Sequence, residues 1–196
     1  MDKTKIQKYL NTTTTSNFKP EFFLEYLLTN ANKAVFKKAK ENALNGTEFE
    51  GHIEVYFEPS DKSITIVDNG IGMNKEELND YVHKYAIEKM EQNKIGLLSL
   101  FSIADKVSII SKKLPEQFAN KLNLKLDNIS LVPCVNDEGS GTVIYIKLRE
   151  EFANEFTNKE KLIHHLKKLK HFINYNFIMS YYDSNFEERI EKISYT

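Results

Sequence analysis

The sequence predicts an α+β domain on three observations. A helical periodicity runs from Pro20 to about Leu44, an alternating hairpin occupies residues 52–68, and several strand-like runs crowd between residues 106 and 148. No internal repeat and no convincing linker breaks the chain. Residues 20–196 are therefore expected to form one domain behind a polar N-terminal arm, residues 1–19.

Composition agrees and narrows the function classes. With 196 residues, 41% apolar and 28% charged, the chain can bury a substantial core and does not look disordered. A net charge of −1 gives no electrostatic reason to bind nucleic acid or an anionic membrane. No run approaches the roughly eighteen apolar residues of a membrane span, and the N-terminus lacks a signal-type apolar stretch. One cysteine, Cys134, cannot form an internal disulfide, and no Cys/His cluster has zinc spacing. A reduced, cytoplasmic setting is the simplest expectation.

Each element has a local reason. The arm contains a short low-complexity run, Thr12 to Thr15, suited to a mobile arm or an edge strand. Pro20 is acceptable in a first helical turn. Phe23, Leu27, Ala31 and Ala34 or Val35 then recur at helical spacing as a core stripe. Asn45-Gly46 suits the end of that helix. Ile53, Val55 and Phe57 alternate on one face, and residues 59–62 turn into a second strand, Ser63–Asp68. Asn74 with Glu77 makes a capping-box start for a polar helix to about residue 84, followed by a charged surface loop, residues 88–94. An apolar helix over residues 95–103 is entered through Gly96. Residues 106–111 read as a strand, and two or three more follow by residue 148, the best being 142–148. Thr157 with Glu160 forms another capping box, opening a helix with Leu162, Leu166, Leu169 and Ile173 on its core face. His164, His165 and His171 lie mostly off that stripe and are expected at the surface. Residues 177–182 form a last apolar strand.

Two places carry chemistry. The second strand ends in Asp68 and breaks at Gly70 and Gly72. A strand-end carboxylate beside backbone bared of two Cβ atoms suits a flat heterocycle with an amino group, such as adenine. An ordinary turn is the plain alternative. In the first helix Asn30 sits among apolar neighbours, with Tyr26, Lys33, Ala34 and Lys37 on or beside its face. An amide flanked by a small residue and a lysine two turns on could serve a phosphate or a metal-bound phosphate. A buried Asn bonded to nearby backbone would look the same. Gly96 at a helix start would bare N–H groups toward a phosphate, a weak signal alone.

In order and spacing, these segments resemble the GHKL (Bergerat) ATP-binding superfamily, which contains gyrase, the 90-kDa heat-shock chaperone, histidine kinases and MutL. The likeness is greatest to the N-terminal domain of the heat-shock chaperone. It is carried by Leu28–Ala34, Ile66–Leu78 and Ser99–Lys112, extended by Gly141–Glu150 and His171–Tyr175. It implies a two-layer sandwich with a mixed or antiparallel sheet covered on one face by helices, and binding of ATP or ADP with Mg²⁺. It further implies that Asn30 helps hold Mg²⁺ and Asp68 accepts from the adenine amino group. Gly70, Gly72 and Met73 belong to the motif around the base. Ala34 packs under it, Lys37 lies near the entrance, and Thr142 touches the site by hydroxyl or water. Gly96 and Leu97 stand near the phosphates.

Departures from the family pattern bear on turnover. The chaperone's general-base glutamate falls four residues before the motif asparagine, and here that residue is Tyr26. Glu25 is one position off, about 140° around the helix from Asn30. Lys33 replaces a usually acidic residue, and Asn93 and Lys94 stand where family glycine is expected. The lid, about residues 84–95, is much shorter than the chaperone's. The middle domain, whose arginine completes the family's catalytic site, does not fit in 196 residues. The expectation is therefore an adenine-nucleotide domain with weak or no hydrolysis alone, open to further domains of a longer chain or to client proteins. The alternatives are a degenerate nucleotide-sensing or protein-interaction module without ATPase activity, and a histidine-kinase catalytic domain, which Leu27–Lys33 also fits.

Overall fold

The computed structural model describes residues 20–58, 60–81, 97–125, 128–135, 139–156, 160, 164, 177–182 and 187–193. The predicted first helix is present as α1, Pro20–Leu44, over 25 residues. Its inner face is broader than the predicted stripe, because Leu24 and Leu28 are buried beside Phe23, Leu27, Ala31 and Val35. The hairpin follows as β1, Ile53–Glu58, and β2, Ser63–Asp68. Residues 75–81 form helix α2, and its capping box closes both ways. The Glu77 N–H donates to Asn74 Oδ1 at 2.8 Å, and the Asn74 N–H donates to Glu77 Oε2 at 3.0 Å.

The later strands are β3, Ala104–Lys112; β4, Ala119–Lys125; β5, Ile129–Cys134; and β6, Gly141–Leu148. Strands β7, Phe177–Tyr182, and β8, Glu188–Ile193, end the described chain. All eight join one sheet in the order β5-β4-β3-β6-β2-β1-β7-β8. Its pairs are antiparallel except β1 with β7, which is parallel, so the sheet is mixed. Register stacks Ile66, Ile144 and Ile109 in one row and Ile64, Ile146 and Val107 in the next. These residues are buried with the inner face of α1 in one apolar core. The α+β two-layer architecture therefore stands, with helices on the apolar face of the sheet.

Three elements differ from expectation. The apolar segment after residue 96 is a short 3₁₀ helix, Leu97–Ser102. Leu97, Leu100 and Ile103 are all buried, and a spacing of three suits three residues per turn. The Ile103 N–H donates to Leu100 O at 3.0 Å, and β3 begins at once. Helix α3, Glu150–Phe156, follows β6 with Glu150 and Glu151 favourably placed in its first turn. Strand β8 is the third, a charged edge strand that only its pairing with β7 reveals. Expectations for the arm, the lid, the helix opened at Thr157 and His165 and His171 lie outside the described residues; His164 is exposed.

Candidate functional site

Alternation along β2 sends Ile64, Ile66 and Asp68 to the helix-covered side. The row containing Asp68 continues through Thr142 on β6, Ser111 on β3 and Asn120 on β4. All four are buried. The isoleucine rows thus end in a polar row at one end of the sheet, directly before the turn that carries the two glycines.

That turn is clamped from both sides. The Gly70 N–H donates to Asp68 Oδ1 at 2.9 Å, and the Ile71 N–H donates to Ala34 O at 3.2 Å. A Cβ on Gly70 would stand 2.6 Å from the Ala34 carbonyl carbon, so its bareness lets α1 press on the turn. Gly72 has φ +66, and a Cβ there would lie 1.8 Å from Lys112 O. Both conformation and space require glycine.

Between this turn, α1 and the polar row lies a cavity of about 380 Å³. Asp68, Thr142, Ile66 and Ile144 come from the sheet, and Ile71, Gly72 and Met73 from the turn. Helix α1 contributes Asn30, Ala31, Lys33, Ala34 and Lys37, and α2 contributes Tyr81. Asn30, Ala34, Lys37, Asp68, Gly72, Met73 and Thr142, all singled out from sequence, therefore meet in one cavity. Gly70 is not on its wall and acts as the contact for α1. Leu97 is buried in the core, with its backbone N–H bonded to the Tyr26 hydroxyl. Gly96 lies outside the described residues. A larger cavity, about 520 Å³, opens on the other side of the sheet around Glu54, Tyr56, Val67 and Val143. It shares only Asp68 and Thr142 with the predicted set and lacks the apolar walls contributed by α1.

The polar row faces the cavity with acceptors. Burial pushes the Asp68 carboxyl up to about 7, against the Gly70 N–H, the Lys38 charge and the Thr142 backbone. Burial likewise lowers the Lys38 ammonium, which donates to Asn69 O at 2.8 Å and feels Asp68. The Ser111 hydroxyl accepts the Met73 N–H at 2.8 Å, and lies 3.1 Å from Gly141 O and 2.9 Å from Thr142 Oγ1. A hydroxyl has one proton and two lone pairs. All three contacts are satisfied when Ser111 donates to Gly141 and accepts from Thr142. The Thr142 oxygen is then left as an acceptor beside Asp68.

Above the row, Asn30 Nδ2 donates to the Tyr81 hydroxyl at 3.1 Å, and Tyr81 lies 2.9 Å from the Tyr26 hydroxyl. Desolvation raises both phenols above their ordinary range, Tyr81 strongly. Tyr81 and Ser111 escaped the sequence reading. Tyr81 stands two turns beyond the Asn74 cap, which was its available signal. Ser111 is a polar residue in phase with Val107 and Ile109 on the core face, a signal that alternation could have supplied.

Comparison with known proteins agrees with this geometry. Residues 24–132 match the family described as histidine kinase-, DNA gyrase B-, and HSP90-like ATPase. The chain is 34% identical over 186 residues to the chaperone protein HtpG of Aliarcobacter butzleri, which covers 82% of this chain and 29% of that protein. It is 32% identical over 183 residues to HtpG of a Sulfurovum species, with 82% and 29% covered. HtpG of Borreliella afzelii is 30% identical over 207 residues, with 90% and 33% covered. The chain thus spans 29% to 33% of the length of these curated relatives. With more than half of its residues inside the matched family, the chain belongs to the histidine kinase-, DNA gyrase B- and HSP90-like ATPases.

Proposed function

We propose that residues 20–196 form a single domain, behind the arm 1–19, that binds ATP or ADP with Mg²⁺ and hydrolyses ATP weakly or not at all on its own. The observation that carries this reading is Asp68, a carboxyl only 6% exposed at the base of the cavity between α1 and the sheet. A buried acceptor there has use for a ligand that brings a donor. The adenine amino group is such a donor, and a charge-assisted bond of this kind contributes about 1.5–3 kcal/mol. The acceptor left on Thr142 serves the same edge, directly or through water. Ile66, Ile144, Ala34 and Met73 supply apolar surface for a flat ring, and Gly72 lets backbone come close to it.

The phosphate end is supported by Lys33 and Lys37, exposed residues one turn apart at the cavity wall. For Mg²⁺ the fitting group is Asn30. Its Nδ2 is engaged by Tyr81, which leaves Oδ1 as the end able to ligate a cation. No cluster of three or more His, Cys, Asp or Glu suited to a metal occurs among the described residues. This donor set suits a cation carried mainly by nucleotide phosphates, the usual mode for Mg²⁺. Bound there, the cation would neutralise phosphate charge.

Weak hydrolysis follows from Tyr26. Its hydroxyl is held by Tyr81 and by the Leu97 N–H, and burial moves its pKa further above 10. Such a phenol does not take a proton from water at neutral pH. The same hydroxyl chain favours the second reading, a nucleotide-sensing module without ATPase activity. By likeness to the chaperones, further domains of a longer chain or client proteins are the proposed macromolecular partners. Among the described residues no helix is long and apolar enough to cross a membrane.

Calorimetric titration with ADP, ATP and GTP in Mg²⁺ tests the proposal, alongside Asp68→Asn and a phosphate-release assay. Adenine nucleotides are expected to bind, GTP far less, and Asp68→Asn not at all. Phosphate release is expected to stay near background. Undiminished ATP affinity in Asp68→Asn would remove Asp68 as the adenine reader.

A further inference from the structure

We infer that Tyr81 and Tyr26 are positioning residues that set which end of the Asn30 amide faces the cavity. This inference rests on the proposed Mg²⁺-nucleotide reading. The two ends of a carboxamide have nearly the same shape, but only the oxygen ligates a cation. Whichever group holds the other end therefore decides whether Asn30 can serve.

The amide is held at the Tyr81 hydroxyl, which receives Asn30 Nδ2 at 3.1 Å, and the Tyr26 hydroxyl also bonds the Asn30 side chain. A phenol alone cannot impose that orientation, because it can donate to an amide oxygen as readily as accept from an amide nitrogen. Its single proton must be committed elsewhere. The Tyr26 hydroxyl, 2.9 Å away, is well placed to take it. The chain then runs in one direction, from Asn30 N–H to the Tyr81 oxygen and from Tyr81 O–H to the Tyr26 oxygen. Each bond polarises the next, so the order reinforces itself in a poorly solvated site.

The geometry spans three elements. Tyr26 and Asn30 are four residues apart on α1, Tyr81 is on α2, and the Leu97 N–H from the 3₁₀ helix also bonds Tyr26. Tyr26 thus keeps a use although it is no general base. Removing its hydroxyl would free the Tyr81 proton for the Asn30 oxygen and turn the amide the wrong way.

The test compares ADP affinity in Mg²⁺ with ADP affinity in EDTA, for the wild type, Tyr81→Phe, Tyr26→Phe and Asn30→Ala. Phenylalanine keeps the ring packing and removes only the hydroxyl. In the wild type Mg²⁺ is expected to strengthen ADP binding. In both Phe variants that gain should shrink by about tenfold, the lower end of effects on metal affinity from groups behind a ligand. The loss in EDTA should be much smaller than the loss in Mg²⁺, and thermal unfolding like that of the wild type shows that the variants are folded. Asn30→Ala should lose the gain, and adding Tyr81→Phe to it should change nothing further. An unchanged Mg²⁺ gain in Tyr81→Phe overturns the inference and leaves nucleotide binding standing. Equal losses with and without Mg²⁺ also overturn it, since they mean a structural role only. A wild type that binds ADP without Mg²⁺ dependence defeats it too, whereas one that binds no ADP defeats the functional proposal itself.

Discussion

Asp68 and Thr142 stand opposite each other in register on β2 and β6, and both are buried beneath α1. Seventy-odd residues apart in sequence, they form one acceptor edge only because the two strands pair antiparallel. Beside them, the apolar rows of the sheet give way to polar residues, and the cavity begins there. The consequences are measurable.

The first concerns stability. Burial raises the Asp68 carboxyl from an ordinary carboxylate value to about 7. A carboxyl raised in the folded state contributes stability that is present below its unfolded pKa and lost as pH rises through the folded value. Above about pH 7 the empty protein therefore carries a buried charge. Asp68→Asn removes that charge and keeps an acceptor for the Gly70 N–H. Its urea unfolding at pH 8 should show a gain on the order of 1 kcal/mol or more, shrinking toward pH 4. A variant less stable than wild type at pH 8 would contradict this reading of Asp68.

The same titration reaches binding. Accepting from an adenine amino group calls for the ionised carboxylate, so affinity should weaken as pH falls below about 7. Adenosine is the suitable probe, since it has no phosphate to titrate. Calorimetry between pH 8 and pH 6 should show a loss approaching about tenfold per pH unit at the acid end, the limit for uptake of one proton. An affinity that is flat or rises toward acid would show that Asp68 binds in its protonated form.

Gly72 makes a sharper structural demand. Its φ of +66 and the 1.8 Å approach of a Cβ to Lys112 O leave no room for any side chain. Gly72→Ala should cost at least about 2 kcal/mol in urea unfolding, from the left-handed backbone and the forced displacement of β3. Stability within about 0.5 kcal/mol of wild type would mean that the turn relaxes freely.

Lys33 and Lys37 should matter for phosphates alone. Replacing both with Gln is expected to weaken ATP binding by about tenfold or less, since exposed charges are screened. Adenosine binding should be unchanged, and the ATP effect should fade at high salt. Equal effects on adenosine and ATP would place these lysines outside the phosphate site.

Local signals account for much of this protein. The helix Pro20–Leu44 follows from a repeating apolar stripe, and the hairpin from strict alternation closed by a turn. The capping box at Asn74 satisfies backbone groups within one helical turn, so it too is readable without the fold. Asp68 with its two glycines was legible for a similar reason: a strand-end acid and missing Cβ atoms are local facts. Strand β8, with charges on a solvated edge, has little local signature and is defined by β7 beside it. The 3₁₀ form of Leu97–Ser102 was also out of reach, because spacing by three becomes decisive only where β3 follows immediately.

Long-range contact decides the rest. Whether Gly70 lines a cavity or seats a helix depends on where α1 lies, and the Ala34 backbone settles it as a seat. The polar row of Asp68, Thr142 and Ser111 exists only through strand register. Tyr26 shows the division most clearly. Its place in the chain already argues against a general base, but its hydroxyl partner comes from α2, 55 residues away. Periodicity and turn chemistry act over one or two helical turns, and hydrogen-bond partners at that distance are chosen by packing.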